Sequence, residues 1–186
     1  MPTTTGDPIR RNAEQARARI VEASRGLLLE AGLDGWTVDG VARRAGCAKG
    51  LVHYHFGTKG ALLSATAEQL ASGRWRRIGA GLQLRGPAAI DALWDSVLAA
   101  VRSGETRARF GLLSQTATAA AFAPPEALLN ELAVRFRVAF DQDDIAGEDA
   151  ALLLAALNGL EMLLLAGKDE AVVRQAYHRL LLFLVG

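Results

Sequence analysis

Residues 37–59 read Thr-Val-Asp-Gly-Val-Ala-Arg-Arg-Ala-Gly-Cys-Ala-Lys-Gly-Leu-Val-His-Tyr-His-Phe-Gly-Thr-Lys and leave the backbone few options. Thr37 can cap a helix by offering its hydroxyl to an unpaired backbone N–H, and Asp39 puts negative charge into the positive first turn. Val38, Val41 and Ala42 fall at i, i+3 and i+4 and make one small apolar face, while Arg43 and Arg44 end the segment with the charge a helix C-terminus favours. Gly46 tolerates the left-handed geometry found just past a helix end, so the chain can turn tightly into a second helix. That second helix, Ala48 to Phe56, buries Leu51, Val52 and Phe56 and leaves Lys49, Gly50, His53, Tyr54 and His55 outward or at its edge. Cations, donors and flat rings on one short helix suit a DNA groove, where cations neutralise phosphates and side chains reach base edges. Two short helices joined this way form a helix-turn-helix.

The remainder of the 186 residues reads as helix too. Alternating apolar runs and Asn-Gly or Asp-Gly hairpin turns are missing, and the five prolines sit at ends or between periodic segments, which excludes a sheet-based fold. The expected class is all-α, with about nine helices. Residues 1–12 are expected as a flexible arm, followed by a first helix over 13–31 that presents Ile20, Ala23, Leu27, Leu28 and Ala31 and stops at Gly32. Further helices are expected over 58–78, 87–102, 105–121, 125–140, 148–166 and 169–185. The eighth is apolar around nearly its whole circumference and the ninth carries a stripe of Val173, Ala176, Tyr177, Leu180, Leu181 and Leu184. So much apolar face calls for a second subunit, met by a four-helix bundle of two helices from each chain. Leu153, Leu160, Val173, Leu180 and Leu184 are the expected contacts of that homodimer.

Composition narrows the class of partner. Residues 1–60 hold nine Lys or Arg against six acids, whereas residues 61–186 hold twelve against fourteen, so the excess of positive charge accompanies the helix-turn-helix. A single Cys excludes an internal disulfide and fits a reducing cytoplasm, and Met1 to Asn12 lack the apolar core of a signal peptide. The longest apolar stretch, 150–166, is interrupted by Asn158, Gly159 and Glu161 and reads as buried helix, with no membrane span expected.

The stretch from Ile20 to Leu63 resembles the DNA-binding domain of the TetR-type transcriptional regulators. The resemblance rests on the Thr37-Val38 helix, the Ala45-Gly46 turn, the Lys49-Gly50-x-x-x-Tyr54-His55-Phe56 recognition helix, Thr58-Lys59 and the Ala61-Leu62-Leu63 run, with Leu27 and Gly32 before them. The family usually has Ser at the position of Ala48, often Glu at that of Gly60, and a buried Val where Cys47 stands. The resemblance implies a helix-turn-helix DNA-binding domain over 13–65 and a ligand-binding and dimerisation domain over 66–186, joined through the fourth helix. It implies backbone-phosphate contacts at Thr37, His53 and Lys59 and groove-facing positions at Lys49, Gly50, Leu51, Tyr54 and His55. It also implies dimerisation through the last two helices and a repressor that leaves a palindromic operator when a small hydrophobic or amphipathic effector binds. For that effector, Trp75, Trp94, Phe110, Phe122 and Met162 can supply apolar walls and Gln115, Thr118 and Asn158 polar anchors.

Other classes fare worse. An enzyme is not expected: Gly-x-Ser-x-Gly, a phosphate loop and His-Glu-x-x-His are missing, and two of the three His lie in the DNA-reading helix. No cofactor is expected. Cys47, His53 and His55 do not make a metal site, because His53 and His55 lie about 200° apart around a helix. A helical module that uses its basic face for protein partners, or a ligand-responsive activator, are the alternative readings.

Overall fold

The computed structural model describes residues 8–185, and the side chains of residues 10–115 and 118–183. Nine helices of eight or more residues run through them: α1 (Pro8–Ala31), α2 (Val38–Ala45), α3 (Lys49–Phe56), α4 (Lys59–Gly81), α5 (Pro87–Arg102), α6 (Glu105–Leu113), α7 (Glu126–Phe140), α8 (Gly147–Leu165) and α9 (Glu170–Val185). No strand occurs among the described residues, so the chain is all-α.

Two expected helix bounds are corrected. The first helix begins at Pro8 and not at Ala13, so residues 8–12 of the expected arm are helical, and residues 1–7 lie outside the described residues. Proline fits a first turn, and Arg10 then pairs with Glu14 one turn on at 3.1 Å. The single helix expected over 105–121 is broken after Leu113, leaving a separate helical turn at Thr116–Ala119 and a 3-10 turn at Ala120–Phe122. Hydroxyls cause the break: Ser114 Oγ donates to the Gly111 carbonyl at 2.7 Å, and Thr118 Oγ1 donates to the carbonyls of Leu112 and Gln115, drawing acceptors out of the helical ladder.

The buried apolar side chains form two cores strung on α4. The first takes Ile20 and Leu28 from α1, Trp36, Val41 and Val52, then Leu62, Leu63 and Leu70 from α4, with Ala108, Leu112 and Phe122 closing it. The second takes Ile78, Leu93, Trp94, Leu132, Phe136, Leu153, Leu157, Tyr177 and Leu181 from α4, α5, α7, α8 and α9. Trp75 packs against both, so the two cores meet at this residue of α4. Gly104 adds a contact between the halves. Its φ is +80° and a Cβ there would stand 2.4 Å from the Leu29 carbonyl oxygen of α1, so only glycine fits.

The dimer contacts expected from sequence sit mostly on the inward faces of α8 and α9. Leu153, Leu160 and Val173 are buried in the protomer's own core, Leu180 packs half-buried against it, and the side chain of Leu184 lies outside the described residues. A helix apolar on every side has no register that marks an outward face. The exposed face of α8 instead carries Leu152, Ala155, Gly159, Met162 and Leu163, and that of α9 carries Val172, Ala176, Leu182 and Phe183.

Candidate nucleic-acid interface

The helix-turn-helix owes its rigidity to caps visible in the sequence. Thr37 Oγ1 accepts the Gly40 N–H at 3.0 Å and opens α2. Gly46, at φ +63°, closes it, and its N–H returns to the Arg43 carbonyl. Ala48 precedes α3 without a side-chain cap, as its missing hydroxyl requires. Thr58 Oγ1 accepts the Ala61 N–H at 3.1 Å and starts α4 in spite of Gly60.

Behind these caps runs a buried polar chain that sequence reasoning missed. Trp36 Nε1–H donates to Ser24 Oγ at 3.0 Å, the Ser24 and Thr66 hydroxyls lie 2.8 Å apart, and Thr66 Oγ1 donates to the Leu62 carbonyl at 2.7 Å. Each acceptor in the chain has its donor, so α1, the loop before α2 and α4 are locked at one spacing. Arg44 adds a forked pair to Glu30, both contacts at 2.6 Å, which ties α2 to the end of α1 and holds the Glu30 carboxyl below its ordinary range. The hydrogen bond from Arg25 likewise lowers Glu22.

On this frame α3 exposes one edge. Tyr54 is 80% exposed, the largest exposed aromatic of the domain, with His55 edge-on to it at 5.2 Å and half-buried. Lys49, Gly50 and His53 are exposed beside it, and space around Gly50 is open. Leu51 turns half inward against the first core. Lys49 Nζ lies 3.0 Å from Asp39 Oδ2, and His53 Nδ1 lies 3.4 Å from the Gly57 carbonyl. Lys59, exposed, sits over the Trp36 ring at 5.5 Å, which fixes its cation at the edge of α3. Arg17 of α1, which sequence reasoning did not single out, lies over the Phe56 ring at 5.0 Å and brings a third cation to this surface. A helix about 10–12 Å wide matches a major groove of about 12 Å, with cations placed to meet the flanking phosphates. Among the described residues no group of three His, Cys, Asp or Glu could hold a metal, and Cys47 packs half-buried against the core.

Residues 20–66 match the sequence family described as bacterial regulatory proteins, tetR family. This segment, from α1 into α4, is a TetR-type DNA-binding domain. The chain is 39% identical over 62 residues to the HTH-type transcriptional regulator BetI of Burkholderia thailandensis, a stretch that spans 33% of the chain and 32% of that relative. The likeness to these curated relatives therefore covers about a third of their length. Over the whole fold, the TetR transcription regulatory protein of Mycobacterium vanbaalenii aligns with a TM-score of 0.59 at 27% identity, covering 92% of this chain and 98% of that one. The multidrug binding protein EbrR in complex with imidazole shares the fold at a TM-score of 0.64 and 24% identity, over 88% of this chain and 93% of that one.

The residues expected to bind an effector are not gathered into one site. Trp94 is buried against Tyr177 at 5.4 Å, Phe122 is buried in the first core, and Met162 is 53% exposed on the outer face of α8. Thr118 is buried with its hydroxyl spent on backbone carbonyls, while Gln115 and Phe110 are half-buried. Asn158 Oδ1 accepts from Arg74 Nη2 at 2.9 Å and from Arg109 Nη1 at 2.7 Å. Trp75 lines an open cleft of about 390 Å³ with Arg76, Gln83, Leu128, Leu132 and Arg135, between α4 and α7.

Proposed function

We propose that this chain is a DNA-binding transcriptional repressor, acting as a homodimer on a palindromic operator and released by a small hydrophobic or amphipathic molecule. The observation that carries the reading is the exposed edge of α3, where Lys49, Gly50, His53 and Tyr54 stand clear of the core between the cations of Lys59 and Arg17. Lys49 stands in the first turn of α3, within reach of guanine O6 and N7 once it leaves Asp39, whereas Lys59 and Thr37 face the backbone. Lys49→Ala should relax preference at one base pair per half-site and cost about 1–3 kcal/mol against the best operator, with little loss against random DNA. Lys59→Ala should weaken all DNA alike and lower the salt slope by about one unit per site. Titrations of operator and scrambled duplex across a salt series separate the two; if neither variant changes binding, α3 does not enter the groove and a protein-interaction role takes its place.

Homodimerisation is supported by the exposed stripes of α8 and α9, where Ala155, Gly159 and Ala176 permit close approach and Leu152, Met162, Leu163, Val172 and Phe183 supply apolar area. Val172 is 61% exposed in the protomer, so Val172→Arg should leave the fold intact and give monomers in light scattering; a persisting dimer places the interface elsewhere. Two α3 helices then need half-sites about 34–36 Å apart. Release follows as a population shift in which an occupied C-terminal domain favours a tilt of α4 that breaks this spacing. The cleft beside Trp75, Leu128 and Leu132 has an apolar wall and borders α4 directly, and the cytoplasmic setting follows from the operator as target.

A further inference from the structure

Trp75, Gly79, Ala80 and Gln83 of α4 stand at i, i+4, i+5 and i+8, and Leu128, Glu131, Leu132 and Arg135 of α7 stand at i, i+3, i+4 and i+7. Each set shares one helix face, so the open cleft of about 390 Å³ between them has two facing walls. Its volume falls in the lower part of the range of about 300–1,000 Å³ usual for small-molecule sites. Trp75 and Leu128 are half-buried along it, and Leu132 is buried in the second core behind them.

Gly79 is the informative member of the α4 wall. A glycine inside a helix costs about 1 kcal/mol relative to alanine. Its backbone is helical, and a Cβ there would meet nothing within 4 Å beyond its own helix backbone, so neither strain nor crowding calls for glycine. What the missing side chain does is leave the middle of the cleft open.

The two arginines of the cleft differ. Arg135 is spent: Nε and Nη2 donate to Glu131 Oε1 at 3.0 and 2.6 Å, and Nη1 donates to the Gly79 carbonyl at 3.3 Å. Arg76, exposed at the rim, has no carboxylate or carbonyl partner among the described residues, so its N–H donors are open to a ligand. An apolar body with one negative end matches this arrangement, whereas a cation would meet Arg76 as a like charge.

We propose that the cleft between α4 and α7 takes a small amphipathic monocarboxylate, its apolar body against Trp75, Leu128 and Leu132 over Gly79 and its carboxylate forked on the Arg76 guanidinium. Such a ligand would be the effector of the release described above, and in that respect the site rests on that reading; the binding itself needs no DNA.

The test uses the full chain without DNA, titrated with sodium octanoate and sodium phenylbutyrate. The corresponding amides serve as neutral matches, octylamine as the cation and sodium acetate as the carboxylate without an apolar body, all at one ionic strength. Trp36 and Trp94 are buried and Trp75 lines the cleft, so tryptophan emission reports occupancy, and the report should vanish in Trp75→Phe. At least one of the two longer carboxylates, at tenfold its Kd, should raise Tm by about 3–6 °C. It should bind about fivefold more tightly than its amide, with acetate and octylamine weaker still. Arg76→Gln should reduce the carboxylate to the affinity of the amide. Gly79→Leu fills the cleft and should lose the binding at an unchanged or higher Tm. The site is refuted if neither longer carboxylate binds, if amide or amine binds as tightly, or if either variant binds the carboxylate like the natural protein. Operator affinity is measured separately with the same acid. Binding with this pattern beside an unchanged operator affinity supports the site and removes ligand-controlled release.

Discussion

Two polar networks cross from helix to helix, and they differ in kind. In the first core, Trp36, Ser24 and Thr66 hand neutral hydrogen bonds down a line that ends on a backbone carbonyl, with donor and acceptor matched at each step. Where α4, α6 and α8 meet, Arg74, Arg109, Glu161, Asn158 and Thr106 form a buried ionic cluster in which the Arg74 Nε–H has no acceptor. A matched neutral network fixes a spacing and has nothing further to gain. A buried ionic network holds only while each charge keeps its partner, so the loss of one member strands the others. On the functional reading proposed above, the neutral network backs the helix that meets DNA, and the ionic one lies where α4 joins the C-terminal helices.

Removing a partner from each network tests this difference. Glu161→Leu strands two arginines between α4, α6 and α8 and should cost about 3–5 kcal/mol in denaturant unfolding. A loss below about 1 kcal/mol would show that the cluster is already hydrated and not charge-limited. Trp36→Phe removes the first donor of the neutral chain and part of the ring beneath Lys59; about 1–3 kcal/mol should be lost, with weaker DNA binding that tracks the loss of order in α4. If stability falls and DNA binding does not, the chain supports the core and not the interface.

Smaller effects belong to the exposed edge of the first half. Ala48→Ser restores the cap that α3 lacks and should add about 1 kcal/mol, read as a higher urea midpoint at unchanged slope. Because Arg25 lowers Glu22 and Arg44 lowers Glu30, their contributions are present above the ordinary carboxylate value of 4.5 and fade as pH falls through the depressed folded values. Glu30→Gln should therefore lower stability slightly at neutral pH, with the difference from the natural protein vanishing as pH falls through the depressed folded value, the slightest of these effects because both side chains are exposed.

What the sequence made legible follows the same division. The cap at Thr37, the stop at Gly46 and the outward edge of α3 are local features, each set by a few adjacent residues, and the structure has them as read, with a further cap at Thr58. The charged cluster is not local: Arg74, Arg109 and Glu161 stand far apart in sequence, and an isolated Arg or Glu reads as solvated surface. One signal did exist, since Asn158 and Glu161 sit one turn apart in an otherwise apolar helix, where a polar pair needs buried partners. The outward face of α8 was illegible for the opposite reason, because Leu and Ala occupy every side and no period distinguishes Leu153 from Leu152.

The continuity of α4 has a mechanical consequence. Its 23 residues make a rod of about 35 Å, and Trp75, where the two cores meet, lies sixteen residues from Lys59, a lever arm of about 24 Å at about 1.5 Å per residue. A rotation of about 5° about Trp75 carries the Lys59 end through about 2 Å. That displacement exceeds the tolerance of a hydrogen bond to a phosphate, whose useful range spans only about 0.5 Å. Under the phosphate-contact role proposed for Lys59, motion too slight to disturb side-chain packing around Trp75 is amplified along the rod into the loss of that contact.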